Sequence, residues 1–558
     1  MKYNYLASLL LAVLFAFSLT TQADEKYRSH RFSSFQTLPA FNEGDIVFIG
    51  NSITNMMNWS EAFGSRQDIH GRGTSGCMTQ DILDNLESMI QGNPSKVFLM
   101  IGTNDLGTAG NTPEAVAGRI EQIVTRIRTE VPQATVYYQS ILPSTSGIRS
   151  PQKTVPANDS VKKWIERQGD EKIVYVDLYS KLANADGSLK NQGNANAESY
   201  TFDGLHLTQK GYRIWFDAIK DYVGSDGVFP ENTPNVWGGL NYSYGMRVSY
   251  FGASPVKSTD ILLIGDEMIN NGEWNELLGS ADFKNRGNGW GYPSETVKQV
   301  AGSFTDILQS NSDKVTKEAP RAVCLYAGLS DVQAGATADS IFTDYSAAVD
   351  SLRAKLPTTP IFVMTVLPFP SGDAAKASVI VSLNEKIRTL ANDANNVYLI
   401  DTYASTYNDS RDEDCFMGTG NVYLSGFGYA RMSQAIANAV NDKLGTSYKA
   451  LSDKDAKKNL ARYQVRKAQY DLPYQAGTQL GQYDETAVES YLNTVKAAYS
   501  KIDDDSADLN SILASLKVAE DTLKTKLVLP SAQNAGEGRR QDLERLHGHL
   551  TAGVRPTR

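Results

Sequence analysis

The sequence contains few cysteines and histidines for its length. Its 558 residues include five histidines and three cysteines, which are Cys77, Cys324 and Cys415. An odd number of widely spaced cysteines does not make a disulfide framework, although a bond between Cys324 and Cys415 stays open. CxxC and HExxH spacings are absent, so the sequence predicts no metal site. The GxxxxGK[ST] phosphate loop is absent as well, and we expect no cofactor.

The chain has no excess of positive charge, and long apolar runs are scarce. The net charge is -9 and the isoelectric point is about 5.3. Nucleic-acid-binding proteins usually present a basic surface, so we expect no nucleic-acid partner. After residue 19, no run is long and apolar enough to cross a bilayer. We therefore expect no membrane span in the mature protein.

The first 23 residues have the pattern of a secretory signal peptide. Lys2 precedes the apolar segment at residues 6–19, and the small residues Thr21 and Ala23 follow it. A basic start, a short apolar segment and small residues before a cleavage point are typical of such peptides. A membrane anchor is the alternative, for which the apolar segment is short. The pattern predicts an exported protein, either periplasmic or secreted.

Short apolar segments alternate with helical patterns between residues 45 and 223. The apolar segments DIVFIG, KVFLMIG, TVYYQSILP and KIVYVDLYS begin at residues 45, 96, 135 and 172. Between them, residues 115–130 place apolar side chains at the spacing of an amphipathic helix. Strands that alternate with helices at this spacing are typical of βαβ units and of a parallel sheet.

The same pattern repeats about 215 to 226 residues further along the chain. DILLIGDEM matches DIVFIGNSI, AVCLYAGLSDV matches KVFLMIGTNDL, and LSGFGYARM matches LTQKGYRIW. IFVMTVLPF and NVYLIDTYA provide two more matches in the same order. Five ordered matches indicate a duplication. After residue 446 the strand patterns stop, and three helical patterns follow.

These patterns predict a chain with six parts. The predicted parts are a signal peptide at 1–23, a first α/β domain at 24–223, a linker at 224–258, a second α/β domain at 259–446, a helical module at 447–527 and a disordered tail at 528–558. The tail is rich in arginine and glycine and poor in apolar residues, which is typical of disorder.

Four polar segments of the first copy lie where chemistry is expected. Ser52 follows the first strand, residues 71–76 (GRGTSG) form a glycine-rich turn, and Asn104 follows another strand. The segment DGLH places Asp203 three residues before His206. In an open parallel sheet, ligands bind beyond the carboxyl ends of the strands. The pattern therefore predicts one site that contains these segments.

The residue types in this site are those of nucleophilic catalysis by serine. A serine hydroxyl needs a base to take its proton, and a histidine such as His206 serves as that base near neutral pH. A carboxylate such as Asp203 holds the imidazole and stabilises its charged form. The Ser52 N–H, a glycine N–H and the Asn104 amide can stabilise an oxyanion. Taken alone, Ser52 would be a helix N-cap, but the four segments together favour a nucleophile.

The four segments resemble those of the SGNH (GDSL-like) hydrolase family over about residues 44–223. The resemblance implies a flavodoxin-like three-layer α/β/α fold and a catalytic domain without a metal. It implies that Ser52 is the nucleophile, that Asp203 and His206 complete the triad, and that Ser52, Gly76 and Asn104 form the oxyanion hole.

The sequence departs from the family pattern at two positions. Asn51 stands where the family name has an aspartate, and Cys77 stands where an aspartate often follows the glycine. Gly73 is the alternative to Gly76 as oxyanion donor, and we prefer Gly76. Cys77 is a rival nucleophile to which no base is assigned, although His70 is near it in sequence.

The second copy keeps the apolar strands and loses the catalytic residue types. Its residues at the positions of Ser52, Asn104, Asp203 and His206 are Glu267, Ser330, Gly420 and Tyr423. We predict that this copy folds and does not hydrolyse. A purely structural role is one interpretation. Glycan binding is the other, since Trp237, Trp274, Trp290 and the tyrosines of residues 241–251 could stack on sugar rings.

The resemblance implies ester hydrolysis through an acyl-enzyme. An active first copy followed by an inert second copy resembles the sialic acid O-acetylesterases of glycan-foraging Gram-negative bacteria. That resemblance implies an O-acetylated glycan as substrate, with sialic acid favoured. The alternatives are a lysophospholipase or short-chain lipid esterase of the same family, and a non-catalytic glycan-binding protein.

Overall fold

The computed structural model describes residues 27–191, 199–227, 254–289, 294–308, 318–370, 372–408, 410–418, 420–471, 483–502 and 506–526, with single residues and pairs between these ranges. The predicted signal peptide (1–23), most of the predicted linker (224–258) and the predicted tail (528–558) lie outside the described residues. No helix within the described ranges is long and apolar enough to cross a membrane.

The first copy is a five-stranded parallel sheet with helices. Its strand order, β2-β1-β3-β4-β5, is that of flavodoxin-like folds. The strands are β1 (Ile46–Gly50), β2 (Ile69–Gly73), β3 (Lys96–Met100), β4 (Thr135–Gln139) and β5 (Ile173–Val176). The helices are α1 (27–37), α2 (Ser52–Asn55), α3 (Trp59–Ala62), α4 (Thr79–Met89), α5 (Thr103–Leu106), α6 (Pro113–Glu130), α7 (Pro151–Gln168), α8 (Tyr179–Leu182) and α9 (Gln209–Val223).

The second copy repeats this sheet in the order β7-β6-β10-β11-β12. The strands of the sheet are β6 (Ile261–Gly265), β7 (Phe283–Gly287), β10 (Ala322–Tyr326), β11 (Ile361–Met364) and β12 (Val397–Ile400). Four further strands have two residues each and are β8 (Ser310–Asn311), β9 (Lys314–Val315), β13 (Tyr407–Asn408) and β14 (Ser410–Arg411). Its helices are α10 (Glu267–Asn270), α11 (Trp274–Leu277), α12 (Val297–Gly302), α13 (Phe304–Ile307), α14 (Leu329–Gln333), α15 (Ala338–Lys355), α16 (Ala374–Arg388), α17 (Thr402–Ser405) and α18 (Gly426–Leu444). Two such sheets confirm the predicted α/β class. Cys324 and Cys415 are buried free thiols, so the disulfide that the sequence left open does not form.

The three helical patterns after residue 446 form a separate bundle. They are α19 (Asp453–Asp471), α20 (Glu485–Ile502) and α21 (Leu509–Lys524). Their apolar faces make a second, smaller core that includes Val465, Val495 and Leu516. The described residues between 453 and 524 thus contain three helices with a core of their own.

One strand of the first copy departs from the prediction. β2 occupies Ile69–Gly73, whereas we predicted a glycine-rich turn over the whole of residues 71–76. Its sequence, IHGRG, carries little of the apolar pattern that identifies a buried strand. β2 carries polar side chains because it is the edge strand of its sheet, and these side chains contact the second copy. The turn itself begins at Thr74.

The two copies contact each other through reciprocal ion pairs. Arg72 on β2 donates two hydrogen bonds of 2.7 Å to Glu276 on α11. Arg286 on β7 donates bonds of 3.0 and 2.8 Å to Glu61 on α3. The arginines occupy equivalent positions on their strands, and each glutamate is the third residue of its helix. Reciprocity of this kind is the mark of a two-fold interface, so the copies pack as a symmetric dimer would.

His70 joins this interface next to Arg72. Its two ring nitrogens each lie 3.3 Å from a carboxylate oxygen, one of Asp45 and one of Glu276. Burial lowers the pKa of His70, but the charge of Glu276 and the contacts with both carboxylates outweigh burial and raise the pKa to about 9. The interface therefore holds a histidine that is charged at neutral pH.

This raised pKa predicts a loss of stability at alkaline pH. The folded pKa lies above the unfolded value of about 6.5, so the contribution of His70 is complete below about pH 6.5 and is lost as the pH rises through about 9. We expect the Tm difference between the wild type and His70→Gln to shrink between pH 6.5 and 9.5. Thermal unfolding followed by circular dichroism measures it, and a difference that stays constant over this range contradicts the expectation.

Candidate active site

Three side chains of the first copy form a continuous hydrogen-bonded series. The Ser52 Oγ lies 2.9 Å from the Nε2 of His206. The Nδ1 of the same ring lies 2.8 Å from the Oδ2 of Asp203. The side chains of His206 and Asp203 are 13% and 19% exposed, so the series is open to solvent at one edge. The structure thus brings together three residues that are up to 154 positions apart.

Ser52 is not the residue that caps α2. The side chain of Asn51 accepts a hydrogen bond of 3.0 Å from the N–H of Ile53, and Asn51 is the N-cap. Ser52 is the first residue of a helix that ends at Asn55, so the helix is a single turn and its dipole is small. Capping therefore does not account for a serine at position 52. Asn51, one of the two departures from the family pattern, has a structural role of its own.

A tight turn fixes Asp203 beside His206. The Oδ1 of Asp203 accepts backbone hydrogen bonds from His206 at 2.7 Å and from Leu205 at 3.0 Å. Burial raises the pKa of Asp203, but the hydrogen bond and charge of His206 and these N–H donors lower it below its usual value. Asp203 is consequently an anion at neutral pH. A carboxylate at this position favours the tautomer in which Nδ1 carries the proton and Nε2 accepts from Ser52.

The glycine-rich turn lies beside α2 and Asn104. The Asn104 Nδ2 donates a bond of 2.9 Å to the carbonyl of Cys77, and the Asn55 Nδ2 donates one of 3.3 Å to the Ser75 Oγ. Gly76 has a φ of +73°, a conformation that favours glycine. The turn is therefore held from two sides, by Asn104 and by α2.

The two candidate glycines have different surroundings. A Cβ on Gly73 would lie 2.3 Å from the backbone nitrogen of Asn55, so Gly73 allows α2 to pack on β2. A Cβ on Gly76 would instead meet the Nη1 of Arg28 at 3.3 Å. Gly73 is thus packed against α2, whereas Gly76 is an exposed residue of the turn.

Cys77 lacks the properties of a nucleophile in this structure. It is fully buried, and its Sγ lies 3.6 Å from the carbonyl oxygen of Met78. Burial raises the pKa of the Cys77 thiol well above its usual value, whereas a reactive cysteine needs its thiolate form. His70, its neighbour in sequence, contacts Asp45 and Glu276 at the interface. Among the described residues, no group of three or more histidine, cysteine or carboxylate side chains could hold a metal ion.

The second copy has a different pair at the same place. The Tyr423 hydroxyl donates a bond of 3.2 Å to Glu267 Oε1, where the first copy has His206 and Ser52. Trp274 is 1% exposed and donates to the Ile269 carbonyl, so it is a core residue and is not available for stacking on a sugar. Trp237 and Trp290 lie outside the described residues. The second copy therefore has neither the serine nor the histidine of the first copy at this position.

One element near the site was missed by the sequence prediction. Within the described residues the helix α1 starts at Tyr27. The Tyr27 hydroxyl accepts a bond of 3.2 Å from the Asn55 Nδ2 and donates one of 3.2 Å to the Asn271 Oδ1. Tyr27 thus touches both copies at once. The buried residues Phe32, Phe35 and Leu38 have the spacing of a helix, and this periodicity is the signal that would have located α1.

Comparisons with known proteins match both copies. A model of the GDSL-like Lipase/Acylhydrolase family matches residues 48–214 and 270–431, which is more than half of the chain. Platelet-activating factor acetylhydrolase IB subunit alpha2 from Homo sapiens is 31% identical over 179 residues, covering 30% of this chain and 72% of the relative. The Gallus gallus protein of the same name is 28% identical over 202 residues, covering 34% and 80%.

Solved structures show matches of similar extent. A GDSL-like lipase from Bacteroides thetaiotaomicron is 22% identical, covers 35% of this chain and 98% of its own, and has a TM-score of 0.28. A carbohydrate esterase family 3 protein from Talaromyces cellulolyticus is 17% identical, covers 32% and 96%, and has a TM-score of 0.24.

Proposed function

Since this chain belongs to the GDSL-like lipase/acylhydrolase family, we propose that it is a serine esterase that removes O-acetyl groups from carbohydrates, with sialic acid as the favoured sugar. The observation that carries the proposal is the series Ser52–His206–Asp203, with distances of 2.9 and 2.8 Å. These three residues are the proposed catalytic triad. Ser52, Gly76 and Asn104 are the proposed oxyanion donors.

The proposed reaction proceeds through an acyl-enzyme. His206 Nε2 takes the proton of Ser52 as the Oγ attacks the acetyl carbonyl, and Asp203 stabilises the imidazolium that forms. The N–H groups of Ser52 and Gly76 and the Asn104 amide stabilise the oxyanion. The C–O bond to the sugar then breaks, and His206 gives its proton to the leaving hydroxyl. His206 then takes a proton from water, which attacks the acetyl-Ser52 carbonyl. The bond between the acetyl carbon and the Ser52 Oγ breaks, the Oγ takes the proton back from His206, and acetate leaves.

Support for the acetyl group comes from the relatives. The family match alone supports ester hydrolysis. The relatives that are 28–31% identical are named acetylhydrolases, which favours a short acyl group for this chain as well. The sugar is inferred from the arrangement of an active copy, an inert copy and a predicted signal peptide. On the same ground we propose export to the periplasm or the medium of a Gram-negative bacterium.

A second candidate function is hydrolysis of a short acyl ester of a lipid. The name of the relatives, platelet-activating factor acetylhydrolase, is the observation that favours it. Both candidates use the same triad and the same acetyl chemistry. The two candidates differ in the alcohol from which the acetyl group is removed. Rates of acetate release from sugar esters and from lipid esters therefore distinguish them.

Acetate release from a panel of substrates tests the proposal. The panel contains O-acetylated sialosides, acetylated xylan and a 2-acetyl phospholipid, and p-nitrophenyl esters of two to eight carbons give the acyl-length limit. We expect the highest kcat/KM on the sialosides and a fall in rate beyond propionyl esters. A preference for the phospholipid establishes the second candidate instead. If no ester is hydrolysed and a glycan is bound, the protein is a non-catalytic glycan-binding protein.

Removing the Asn104 amide is expected to slow the chemical step. Asn104→Ala should lower kcat about 100- to 1,000-fold with little change in KM, because an oxyanion donor acts mainly in the transition state. Steady-state hydrolysis of p-nitrophenyl acetate measures both constants. The matched control is Ser330→Ala, at the equivalent position of the second copy, which should leave kcat unchanged. If the Asn104→Ala protein folds and has the kcat of the wild type, Asn104 is not part of the oxyanion hole.

A further inference from the structure

The helix α1 is bound by the second copy at the place where that copy has lost its catalytic residues. The ring of His30 stacks on Tyr423 with centroids 4.9 Å apart, and its Nδ1 lies 3.1 Å from the Leu424 carbonyl oxygen. Arg31 forms an ion pair of 2.6 Å with Glu273. The contacts of α1 with this copy are both polar and aromatic, and they fix the helix in position and rotation.

The first residues of the same helix reach the proposed active site of the first copy. Tyr27 accepts a hydrogen bond from Asn55, and Asn55 also donates to Ser75. Asn55 is the last residue of the helix that Ser52 begins. Arg28 follows Tyr27, and its Nη1 lies 3.3 Å from the position that a Cβ on Gly76 would occupy. The Arg28 guanidinium thus lies beside the turn that contains Gly76.

Arg28 makes only a loose contact with the part of the chain that the structure describes. Among these residues its ion-pair partner is Asp81, whose Oδ1 lies 3.7 Å from the Arg28 Nε. The other oxygen of Asp81 accepts from the Met78 N–H. The Arg28 side chain is 21% exposed. A guanidinium carries five N–H donors in a fork that matches carboxylate and phosphate groups, so donors are available for a ligand.

A second arginine near the site is held differently. The Arg149 Nε donates a bond of 3.0 Å to the Thr103 carbonyl, and its guanidinium packs on Gly107, where a Cβ would lie 2.6 Å from the Cζ. Arg149 is therefore packed against α5. Arg28 is the arginine that borders Gly76.

We propose that Arg28 and the Gly76 turn form an anion subsite beside Ser52, which binds a carboxylate or phosphate group of the acetylated substrate. This proposal rests on the proposed esterase function, whose substrate class it narrows to acetyl esters that carry a negative group. It also gives the second copy a function. That copy binds α1 and thereby positions a substrate-binding arginine in the first copy.

Arg28→Gln tests the subsite through substrate selectivity. The measured quantity is the ratio of kcat/KM on an anionic acetyl ester to kcat/KM on neutral acetylated xylan. We expect this ratio to fall about 10- to 100-fold, mainly through KM, because a hydrogen bond to a charged group is lost. Arg28→Lys should restore part of it. The matched control is Arg66→Gln, which removes one positive charge near the start of β2 and should leave the ratio unchanged.

The choice of anionic substrate identifies the source of the negative group. A fall in the ratio for 9-O-acetylated sialic acid assigns the subsite to a carboxylate, and a fall for a 2-acetyl phospholipid assigns it to a phosphate. A ratio that is unchanged for both overturns the proposal. Equal losses on the anionic and neutral substrates also overturn it, since they show that Arg28 acts only on the structure of the site.

A binding measurement separates failure of the subsite from failure of the esterase proposal. Calorimetry with Ser52→Ala protein compares N-acetylneuraminic acid, glycerophosphocholine and neutral N-acetylmannosamine. We expect Arg28→Gln to raise the Kd of one of the two ligands that carry a negative group, the carboxylate of the sialic acid or the phosphate of the zwitterionic glycerophosphocholine, about 10- to 100-fold and to leave that of the neutral sugar unchanged. If the wild type hydrolyses no ester, the proposed function fails, and this measurement still decides the subsite. If no anionic ligand binds, or binding does not depend on Arg28, the subsite proposal fails while the esterase stands.

Discussion

Replacing Ser52 by alanine is expected to lower kcat about a million-fold. The change removes the proposed nucleophile and leaves His206 and Asp203 without a group to activate. Removing the nucleophile of a comparable triad costs about this factor, and the residual rate comes from the oxyanion donors and from binding. Hydrolysis of p-nitrophenyl acetate measures the loss, and the pre-steady-state burst of p-nitrophenol should disappear with it, because no acyl-enzyme forms.

The second copy offers a matched control for this variant. Glu267→Gln changes the residue at the same turn of the second copy, where Glu267 contacts Tyr423 at 3.2 Å, and it should leave kcat unchanged. Loss of activity in Ser52→Ala combined with full activity in Glu267→Gln assigns hydrolysis to the first copy. Retention of the burst in Ser52→Ala would refute the proposed mechanism. Cys77 could not then be the substitute without unfolding of the turn, since its thiol is fully buried.

The sequence predicted most of the sheet, and it singled out the residues of the proposed site, because both depend on local patterns. The strands β1, β3, β4 and β5 are apolar runs, and their order along the chain restricts their order in a parallel sheet. Ser52, Asn104 and the Asp203–His206 turn come directly after such elements or within one short turn. The comparison of the two copies added information, since Glu267 shows that the fold does not require serine at this turn.

The features that the sequence did not predict depend on contacts between distant residues. The strand β2 was not predicted because the surface on which its side chains pack belongs to the second copy. Its Arg72 contacts Glu276, which lies 204 positions away in the sequence. The position of α1 was not predicted for the same reason, because His30 contacts a carbonyl that lies 394 positions away in the sequence. A periodic pattern can reveal that a helix exists, but the surface it packs on follows only from the assembled fold.

Breaking the ion pair between Arg72 and Glu276 is expected to give the largest loss of stability. Both residues are less than 10% exposed, and the two hydrogen bonds between them are 2.7 Å long. Removing one partner of a buried pair leaves an uncompensated charge, which costs about 3–5 kcal/mol. Glu276→Gln should therefore lower the free energy of unfolding by about this amount. The same variant should also reduce the contribution of His70 to stability, because His70 contacts the same carboxylate.

The double variant Arg72→Met/Glu276→Leu distinguishes the cost of an unpaired charge from the value of the pair. Apolar replacement of both partners of a buried pair is often neutral or stabilising, so we expect it to recover most of the stability that Glu276→Gln loses in urea unfolding. The reciprocal pair Arg286–Glu61 provides an internal replicate, because the near two-fold relation predicts a similar loss for Glu61→Gln. If the double variant is as unstable as the single one, the pair contributes net stability. If it is fully stable, the four charged residues serve to fix how the two copies align, and with them the position of α1 beside the site.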